Sequence, residues 1–314
     1  MSRLTIIGTG FVGTSLGLAL KARKLDVEIV GHDRDHGRAL AAKKLGAVDR
    51  AEWSLPAAVE KASMVIVATP LGAIEQIFTQ IAEFLAPGCV VTDTASLKGP
   101  TLEWAGRALG GRASYVGGHP ILGRVGDDRK PSATLFQDRT YCIIAGADAS
   151  TTAVDQVLRL VAVLGARPLF LDPLEHDSHI AALDQLPSLL AAALLSVATA
   201  SPAWRDGQRL AGAAFEVARA QLPTDVADLA IQYRLNRVAL ERWVRELQKQ
   251  LDELLRLLEE EPSGLDDLLA ATRKRCDAWK PGHGPSIESP VDLPRPRDQF
   301  ARWLFGGLGS RRHR

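Results

Sequence analysis

Cysteine is scarce in this sequence, and so is any imbalance of charge. The 314 residues include only three cysteines, Cys89, Cys142 and Cys276, which are far apart and match no zinc-binding spacing. They indicate isolated thiols in a reducing compartment rather than a disulfide framework. The formal net charge is +1, so no bulk attraction to nucleic acid or to a membrane surface is expected. No metal site is predicted.

Long uninterrupted apolar runs are also lacking. The best candidate, Leu189–Ala200, is too short to cross a bilayer. The first ten residues, MSRLTIIGTG, have neither the basic start nor the long apolar stretch of a signal peptide. We therefore expect a cytoplasmic protein with no membrane partner.

Up to Pro173, short β-rich runs alternate with helical stretches. The predicted strands are Leu4–Ile7, Val27–Asp33, Met64–Thr69, Cys89–Asp93, Tyr115–Gly118, Thr140–Ala145 and Pro168–Leu171. Several are nearly continuous hydrophobic runs, as expected for parallel strands covered on both faces. Helices are predicted between the strands, for example Thr14–Lys21, Leu71–Leu85 and Thr152–Leu164. This alternation is typical of a doubly wound, mostly parallel α/β sheet.

Beyond Pro173 the strand signals end and helical periodicity takes over. Residues from Glu175 to about Ala200 are predicted to form one apolar helix, with a kink near Pro187. A second helical stripe comprises Leu240, Trp243, Val244, Leu247, Leu251, Leu254 and Leu258. Such a stripe predicts packing in a core or a dimer interface, and a helix that binds another protein is the alternative.

A glycine-rich turn is the strongest motif. Gly8-Thr9-Gly10-Phe11-Val12-Gly13 follows an apolar strand and opens a helix, the context that a dinucleotide-binding turn requires. Gly8 permits the tight turn, Gly10 lets the backbone approach a pyrophosphate, and Gly13 allows close packing of helix on strand. Phe11 and Val12 complete the predicted cofactor-binding segment at the helix N-terminus.

The chain is accordingly predicted to have three parts. Residues 1–173 form a Rossmann dinucleotide-binding domain, and residues 174–262 form an all-helical domain for substrate binding and dimerisation. Residues 263–314 form a tail that is rich in proline, glycine and arginine, and its part after Lys280 is expected to be extended or partly disordered.

The choice of cofactor is predicted from the end of the second strand. Asp33 can accept hydrogen bonds from both ribose hydroxyls and would repel a 2′-phosphate, so NAD is favoured over NADP. Arg34 follows directly and partly offsets that repulsion, so NADP stays possible. Thr69 and Pro70 end another strand at the same edge of the sheet and are predicted to contact the cofactor, although a simple turn is equally consistent. The alternative to a cofactor site is a glycine turn that binds nothing.

Two further strand ends carry candidate catalytic groups. Ser96 lies in Thr92–Lys98, and His119 follows a Gly-Gly turn in Gly117–Pro120. A neutral histidine is suited to accept a hydroxyl proton while hydride leaves, and a serine can orient it. Lys98 either binds an anionic substrate or solvates the start of a helix.

These motifs, with Glu175-His176-Asp177 and Leu186-Pro187, resemble the prephenate/arogenate dehydrogenase family of tyrosine biosynthesis over roughly residues 3–258. The resemblance implies that a ring carbinol is oxidised with loss of the ring carboxylate, giving 4-hydroxyphenylpyruvate from prephenate or tyrosine from arogenate. It implies that His119 accepts the hydroxyl proton and that Ser96 bonds both the histidine and the substrate. It also implies a homodimer through the helical domain and no metal.

The departures from the family cluster in the helical half. Where the family has Ser-His-Leu-Pro-His, this chain has Asp184-Gln185-Leu186-Pro187-Ser188. Where it has Gly-Phe-Arg-Asp-x-x-Arg, this chain has Glu216 for the first arginine, and Arg219 is one place early, a rotation of about 100° on a helix.

A dicarboxylate substrate needs cationic partners. Gln185, Arg219 and Lys98 are predicted to contact the substrate. The other candidate cations are Arg124, Arg129, Lys130 and Arg234.

Three functions are therefore open from the sequence. The first is a divergent prephenate or arogenate dehydrogenase, and the second is a dehydrogenase of another small hydroxy acid. The third is an inactive nucleotide-binding dimer. The sequence does not distinguish prephenate from arogenate, and it does not reveal feedback regulation.

Overall fold

A computed structural model describes residues 2–122, 130–223, 226–260 and 262–278. The chain divides into two compact units, with the boundary between His176 and Asp177. The predicted tail lies outside the described residues from residue 279 onward.

The first unit is built on one sheet of eight strands. The strands are β1 (Ser2–Ile7), β2 (Val27–His32), β3 (Arg50–Ala51), β4 (Met64–Val67), β5 (Val90–Asp93), β6 (Ser114–Pro120), β7 (Thr140–Ala145) and β8 (Arg167–Phe170). Their order is β3-β2-β1-β4-β5-β6-β7-β8. All neighbours are parallel except β6 and β7, which pair antiparallel with His119 opposite Cys142. The predicted doubly wound, mostly parallel sheet is confirmed.

Helices cover both faces of this sheet. They are α1 (Phe11–Ala22), α2 (His36–Lys44), α3 (Leu55–Val59), α4 (Ile74–Ile81), α5 (Gly99–Leu109) and α6 (Thr151–Leu164). Strand positions such as Leu4, Ile6 and Ile66 are almost fully buried between them, which explains why the strand sequences are continuous hydrophobic runs. The predicted helix over Leu71–Leu85 is interrupted, because 3-10 turns flank α4 on both sides.

The second unit is helical throughout its described part. Its helices are α7 (Pro173–Ile180), which begins in the first unit, α8 (Leu186–Ala200), α9 (Trp204–Gly207), α10 (Ala213–Ala220), α11 (Val226–Leu235), α12 (Arg237–Glu260) and α13 (Pro262–Ala278). The predicted tail is thus wrong over residues 263–278, which form a regular helix.

A π-helical segment, Ala181–Gln185, joins α7 to α8. The predicted irregularity near Pro187 therefore lies just before that residue, which has no N–H to donate to the preceding turn. Helical structure runs unbroken from Pro173 to Ala200, so the estimate that the apolar run is too short was wrong. By length and composition alone this 28-residue stretch could cross a membrane. Its most apolar 18-residue window has a mean hydropathy of 1.7, and a third of that window is buried inside the protein.

Candidate active site

The glycine turn between β1 and α1 is closely packed at two of its three glycines. Gly8 has φ +89°. A Cβ added to Gly8 would collide with the Ala68 carbonyl and would lie 2.8 Å from Thr69 Cγ2. A Cβ on Gly13 would collide with the carbonyl oxygen of Gly8. A Cβ on Gly10 would meet nothing within 4 Å. Gly8 and Gly13 are therefore needed for the fold, whereas Gly10 borders open space that a ligand can approach.

Asp33 connects this turn to the end of β2. Its Oδ2 accepts hydrogen bonds from the Thr9 backbone N–H at 2.8 Å and from Thr9 Oγ1 at 3.3 Å. Its Oδ1 accepts from the Asp35 N–H at 3.0 Å. The carboxylate thus fixes the glycine turn through Thr9, a contact that the sequence motif did not reveal. It also lies where a ribose would bind. Arg34 is exposed and its side chain has no partner among the described residues.

An unsatisfied polar atom lies beside the same turn. Thr69 Oγ1 is buried and has no hydrogen-bond partner in the described chain, and buried hydroxyls are normally bonded. No side chain caps the N-terminus of α1, where Phe11 and Val12 are half-buried. The open Gly10, the uncapped helix and the Thr69 hydroxyl together fit a dinucleotide whose pyrophosphate lies over the turn. Pro70 is exposed and begins a 3-10 turn.

The next strand end holds a fully buried ion pair. Lys98 Nζ donates to both carboxylate oxygens of Asp93, at 2.8 and 2.6 Å, and to the Gly118 carbonyl at 2.8 Å. Both side chains have no exposed surface. The prediction that Lys98 binds a substrate anion or solvates a helix start is wrong, because its ammonium is enclosed by protein acceptors.

Asp93 gathers four further donors. Tyr115 OH donates to Oδ1 at 2.9 Å, and the N–H groups of Gly118 and Ala95 donate at 3.0 and 3.2 Å. Tyr141 OH donates to the Asp93 carbonyl at 3.5 Å. Burial and the Asp93 charge raise the pKa of both tyrosines well above their usual range, so both phenols stay protonated donors.

The two glycines before His119 lie inside β6 and do not form the predicted turn. A Cβ on Gly117 would lie 3.0 Å from Lys98 Cδ, and one on Gly118 would lie 2.7 Å from the Tyr141 hydroxyl. Glycine is required here because β6 passes directly over the buried lysine and tyrosine.

Ser96 and His119 each come directly after a residue whose backbone N–H donates to the Asp93 carboxylate. The N–H of Ala95, one residue before Ser96, and the N–H of Gly118, one residue before His119, donate to the same carboxylate. Ser96 and His119 are both half-buried. The shared carboxylate supports the predicted convergence of the two side chains at this edge of the sheet.

His119 also has a partner that the sequence analysis did not assign. His119 Nδ1 lies 3.0 Å from Nε2 of His176, and the rings meet edge to face. Burial, His176 and the charge of Lys98, in that order, lower the pKa of His119 well below 6.5. His119 is thus held neutral. The Glu175-His176-Asp177 motif was the available signal, but nothing local predicts that His176 meets a strand 57 residues away.

In the second unit, the residues at the altered family motif bond to neighbouring helices. Gln185 is fully buried, and its Oε1 accepts from Asn236 Nδ2 at 2.9 Å. Ser188, also fully buried, lies 2.7 Å from Tyr233 OH. Asn236 donates as well to the Asp177 carbonyl at 2.8 Å. The prediction that Gln185 contacts substrate is not supported, because its amide bonds to Gln232 of α11 and to Asn236, the residue between α11 and α12.

Arg219 is likewise engaged on its own helix. Its guanidinium forms an ion pair with Glu216, with Nη2 to Oε2 at 2.9 Å, and the side chain is 68% exposed. No residue of α10 is buried. The predicted substrate contact of Arg219 stays a prediction, and in this structure the guanidinium is paired with the residue that replaces the family's first arginine. Of the other candidate cations, Arg124 and Arg129 lie outside the described residues, and Lys130 is exposed.

The sheet order, with a glycine turn after β1 and an acid after β2, defines a nucleotide-binding protein of the Rossmann class. Residues 16–169 match the family described as prephenate dehydrogenase, nucleotide-binding domain. This nucleotide-binding domain therefore belongs to the prephenate dehydrogenase family. The resemblance seen in the sequence is thereby confirmed.

Individual relatives agree with this assignment. Prephenate dehydrogenase of Bacillus subtilis is 30% identical over 197 residues, 61% of this chain and 52% of that protein. Prephenate dehydrogenase of Lactococcus lactis is 29% identical over 198 residues, 62% of this chain and 53% of that protein. The matched region therefore spans about half the length of these relatives.

A solved structure shares the fold over most of the chain. Prephenate dehydrogenase from Aquifex aeolicus, in complex with hydroxyphenyl propionate and NAD+, superposes with a TM-score of 0.80 at 22% identity. The match covers 89% of this chain and 99% of that one. Arogenate dehydrogenase of Synechocystis gives 0.75 at 23% identity, over 88% and 100% of the two chains. At such identities the likeness concerns the fold.

Two glycine variants separate folding from nucleotide binding. Gly10→Ala should leave the melting temperature unchanged and weaken NAD binding about tenfold or more, because its Cβ enters the space through which a pyrophosphate reaches the backbone. Gly13→Ala should lower the melting temperature, because its Cβ meets the Gly8 carbonyl. Calorimetric titration and thermal unfolding measure the two effects. Unaltered NAD affinity in Gly10→Ala would contradict the assignment of the turn.

The buried ion pair should dominate local stability. Lys98→Met leaves the Asp93 carboxylate buried without its cation, which should lower the free energy of unfolding by about 3–5 kcal/mol. The matched control is Lys21→Met, which breaks the exposed pair with Asp49 and should cost less than about 1 kcal/mol. Urea unfolding compares the two. Equal losses of unfolding free energy in the two variants would show that the buried pair stabilises the fold no more than the exposed one.

Proposed function

We propose that this protein is an NAD-dependent dehydrogenase that oxidises the ring carbinol of prephenate or arogenate with loss of the ring carboxylate. The observation that carries the proposal is His119, a half-buried imidazole kept neutral at the edge of the sheet where the dinucleotide fits. Membership of the prephenate dehydrogenase family through the nucleotide-binding domain supports it, as does the Aquifex structure that holds NAD+ and hydroxyphenyl propionate.

NAD, when bound, accepts the hydride from the carbinol carbon. The glycine turn and Asp33 bind and orient the dinucleotide, and Asp33 favours NAD over NADP. His119 accepts the hydroxyl proton at its Nε2, since its Nδ1 is directed to His176. Ser96 donates to or accepts from the reacting oxygen. The bond to the ring carboxylate then breaks, and its electron pair completes the aromatic ring, so no metal is needed for decarboxylation.

A second candidate is oxidation of a different small hydroxy acid by the same histidine. The observation that favours it is the internal bonding of Gln185 and the pairing of Arg219 with Glu216, which leave the family's substrate-carboxylate contacts unassigned. Steady-state assays with prephenate, arogenate and a panel of hydroxy acids, each with NAD and with NADP, distinguish the candidates. Robust turnover of prephenate or arogenate supports the first, and turnover of the panel alone supports the second.

The pH dependence tests His119 directly. Since the pKa of His119 is lowered in the folded protein, the base stays neutral below pH 6.5, and the acid limb of kcat/KM should lie below that value. His119→Asn should abolish turnover while NAD binding survives. The same lowered pKa means that the unfolded chain binds more protons, so stability should fall as pH drops through 6.5, and less so in His119→Asn. Unchanged turnover in the variant would refute the assignment.

We propose further that the protein is a homodimer through its helical unit. Supporting this, Leu251, Leu255 and Leu258 form a stripe along α12 and are each about half exposed or more. Leu194 and Val197 on α8 are also exposed. A second copy would remove this apolar surface from water.

Light scattering tests the dimer. Wild-type protein should have twice the chain mass of 33.8 kDa. Changing Leu251, Leu255 and Leu258 together to glutamate should give monomers, because charges would be buried at the interface. Gln250→Glu, which lies off this stripe on the same helix, is the control and should stay dimeric. A monomeric wild type would contradict the proposal.

The same packing supports a cytoplasmic protein without a membrane partner. The apolar stretch that ends in α8 contains the buried polar residues Gln185 and Ser188, which bond to Asn236 and to Tyr233 of α11. Helix α8 also packs against α10 and α12.

A further inference from the structure

Two histidines, His119 at the end of β6 and His176 in α7, form a pair within the first unit. Nδ1 of His119 and Nε2 of His176 lie 3.0 Å apart. The ring centroids are 5.2 Å apart at an interplanar angle of 78°. His176 is only 1% exposed, so water does not compete for its Nε2. At this distance and burial the two nitrogens share a single proton.

The position of that proton decides whether His119 can act as a base. If His176 donates to Nδ1 of neutral His119, then His119 carries its own proton on Nε2 and has no lone pair for a substrate hydroxyl. If His119 donates from Nδ1, its Nε2 lone pair is available. His176 must then be neutral, with its own proton on Nδ1 and a bare Nε2.

We propose that His176 is a positioning residue that accepts the Nδ1–H hydrogen bond of His119 and thereby holds it in the tautomer with a free Nε2. This rests on the proposed function in so far as His119 is the base. During turnover the substrate proton goes to Nε2 of His119, and the resulting imidazolium keeps its Nδ1–H bond to the neutral acceptor. No net charge is buried on His176.

The electrostatic surroundings keep His119 neutral, as the proposal requires. Burial, His176 and then the charge of Lys98 lower the pKa of His119. Glu175 and Asp177 are the carboxylates beside His176 on its own helix.

Substitutions at His176 separate acceptance of the hydrogen bond from packing. His176→Gln retains an acceptor oxygen near the position of Nε2, and its kcat should stay within about tenfold of wild type. His176→Leu fills similar space without an acceptor, and its kcat should fall on the order of 10²-fold with KM for NAD unchanged. His179→Leu, an exposed histidine on the same helix, is the control and should behave as wild type. Equal kcat in the leucine and glutamine variants would overturn the proposal.

Nitrogen-15 spectroscopy of the imidazoles gives a readout that needs no substrate. Above neutral pH, wild-type His119 should show a protonated Nδ1 and a bare Nε2, and His176 should show a bare Nε2. A protonated Nε2 on His119 would overturn the proposal, even if His176→Leu fails to fold. Lack of turnover with prephenate and arogenate would instead count against the proposed function, and the spectra would still decide how the pair is bonded.

Discussion

The contact on which the candidate site depends is the enclosed ion pair of Lys98 and Asp93. Burying two opposite charges is expensive, and their attraction compensates only when the remaining hydrogen-bonding capacity is also satisfied. Here the lysine has three acceptors, and the aspartate accepts from Tyr115 and two backbone N–H groups besides. Because these partners come from both the β5–α5 loop and β6, the pair fixes the loop that carries Ser96 and the strand that carries His119 to each other. After burial and His176, the charge of Lys98 also contributes to lowering the pKa of His119.

The nucleotide half of the site was predictable because its determinants are local. The turn from Gly8 to Gly13 and the acid at position 33 lie within one βαβ unit, where spacing along the chain fixes spacing in the fold. The strands and their parallel arrangement were predictable because continuous hydrophobic runs are also local features of the sequence. The prediction for Lys98 was wrong because the Gly118 carbonyl that helps to enclose it comes from β6, twenty residues further on. A lysine also gives no sign in the sequence that it will be buried. Gly117 and Gly118 were misread as a turn because glycine signals a bend and a close approach equally well.

The substrate half was less predictable, since helical periodicity locates helices but not the partners of their polar residues. Gln185 stands at the altered family motif, yet its amide bonds to Asn236, 51 residues away. Arg219 keeps the charge of a family arginine, but the glutamate three residues earlier lies within reach on the same helix face. Residues at which this chain departs from its family thus bond to other residues of the helical unit. The long stripe on α12 was correctly seen as apolar, and its two ends differ in burial: Leu240 is enclosed, whereas Leu258 is 61% exposed.

The single antiparallel pairing in the sheet holds His119 within the hydrogen-bonded ladder. Because β7 runs opposite to β6, the residues on both sides of His119 have partners, with Gly118 opposite Ile143 and Pro120 opposite Tyr141. The Ile121 N–H extends this pairing by donating to Thr140 O at 2.8 Å. Local opening of the backbone at His119 would therefore require strand pairs to break before and after it, which places the candidate base in the stable part of the fold.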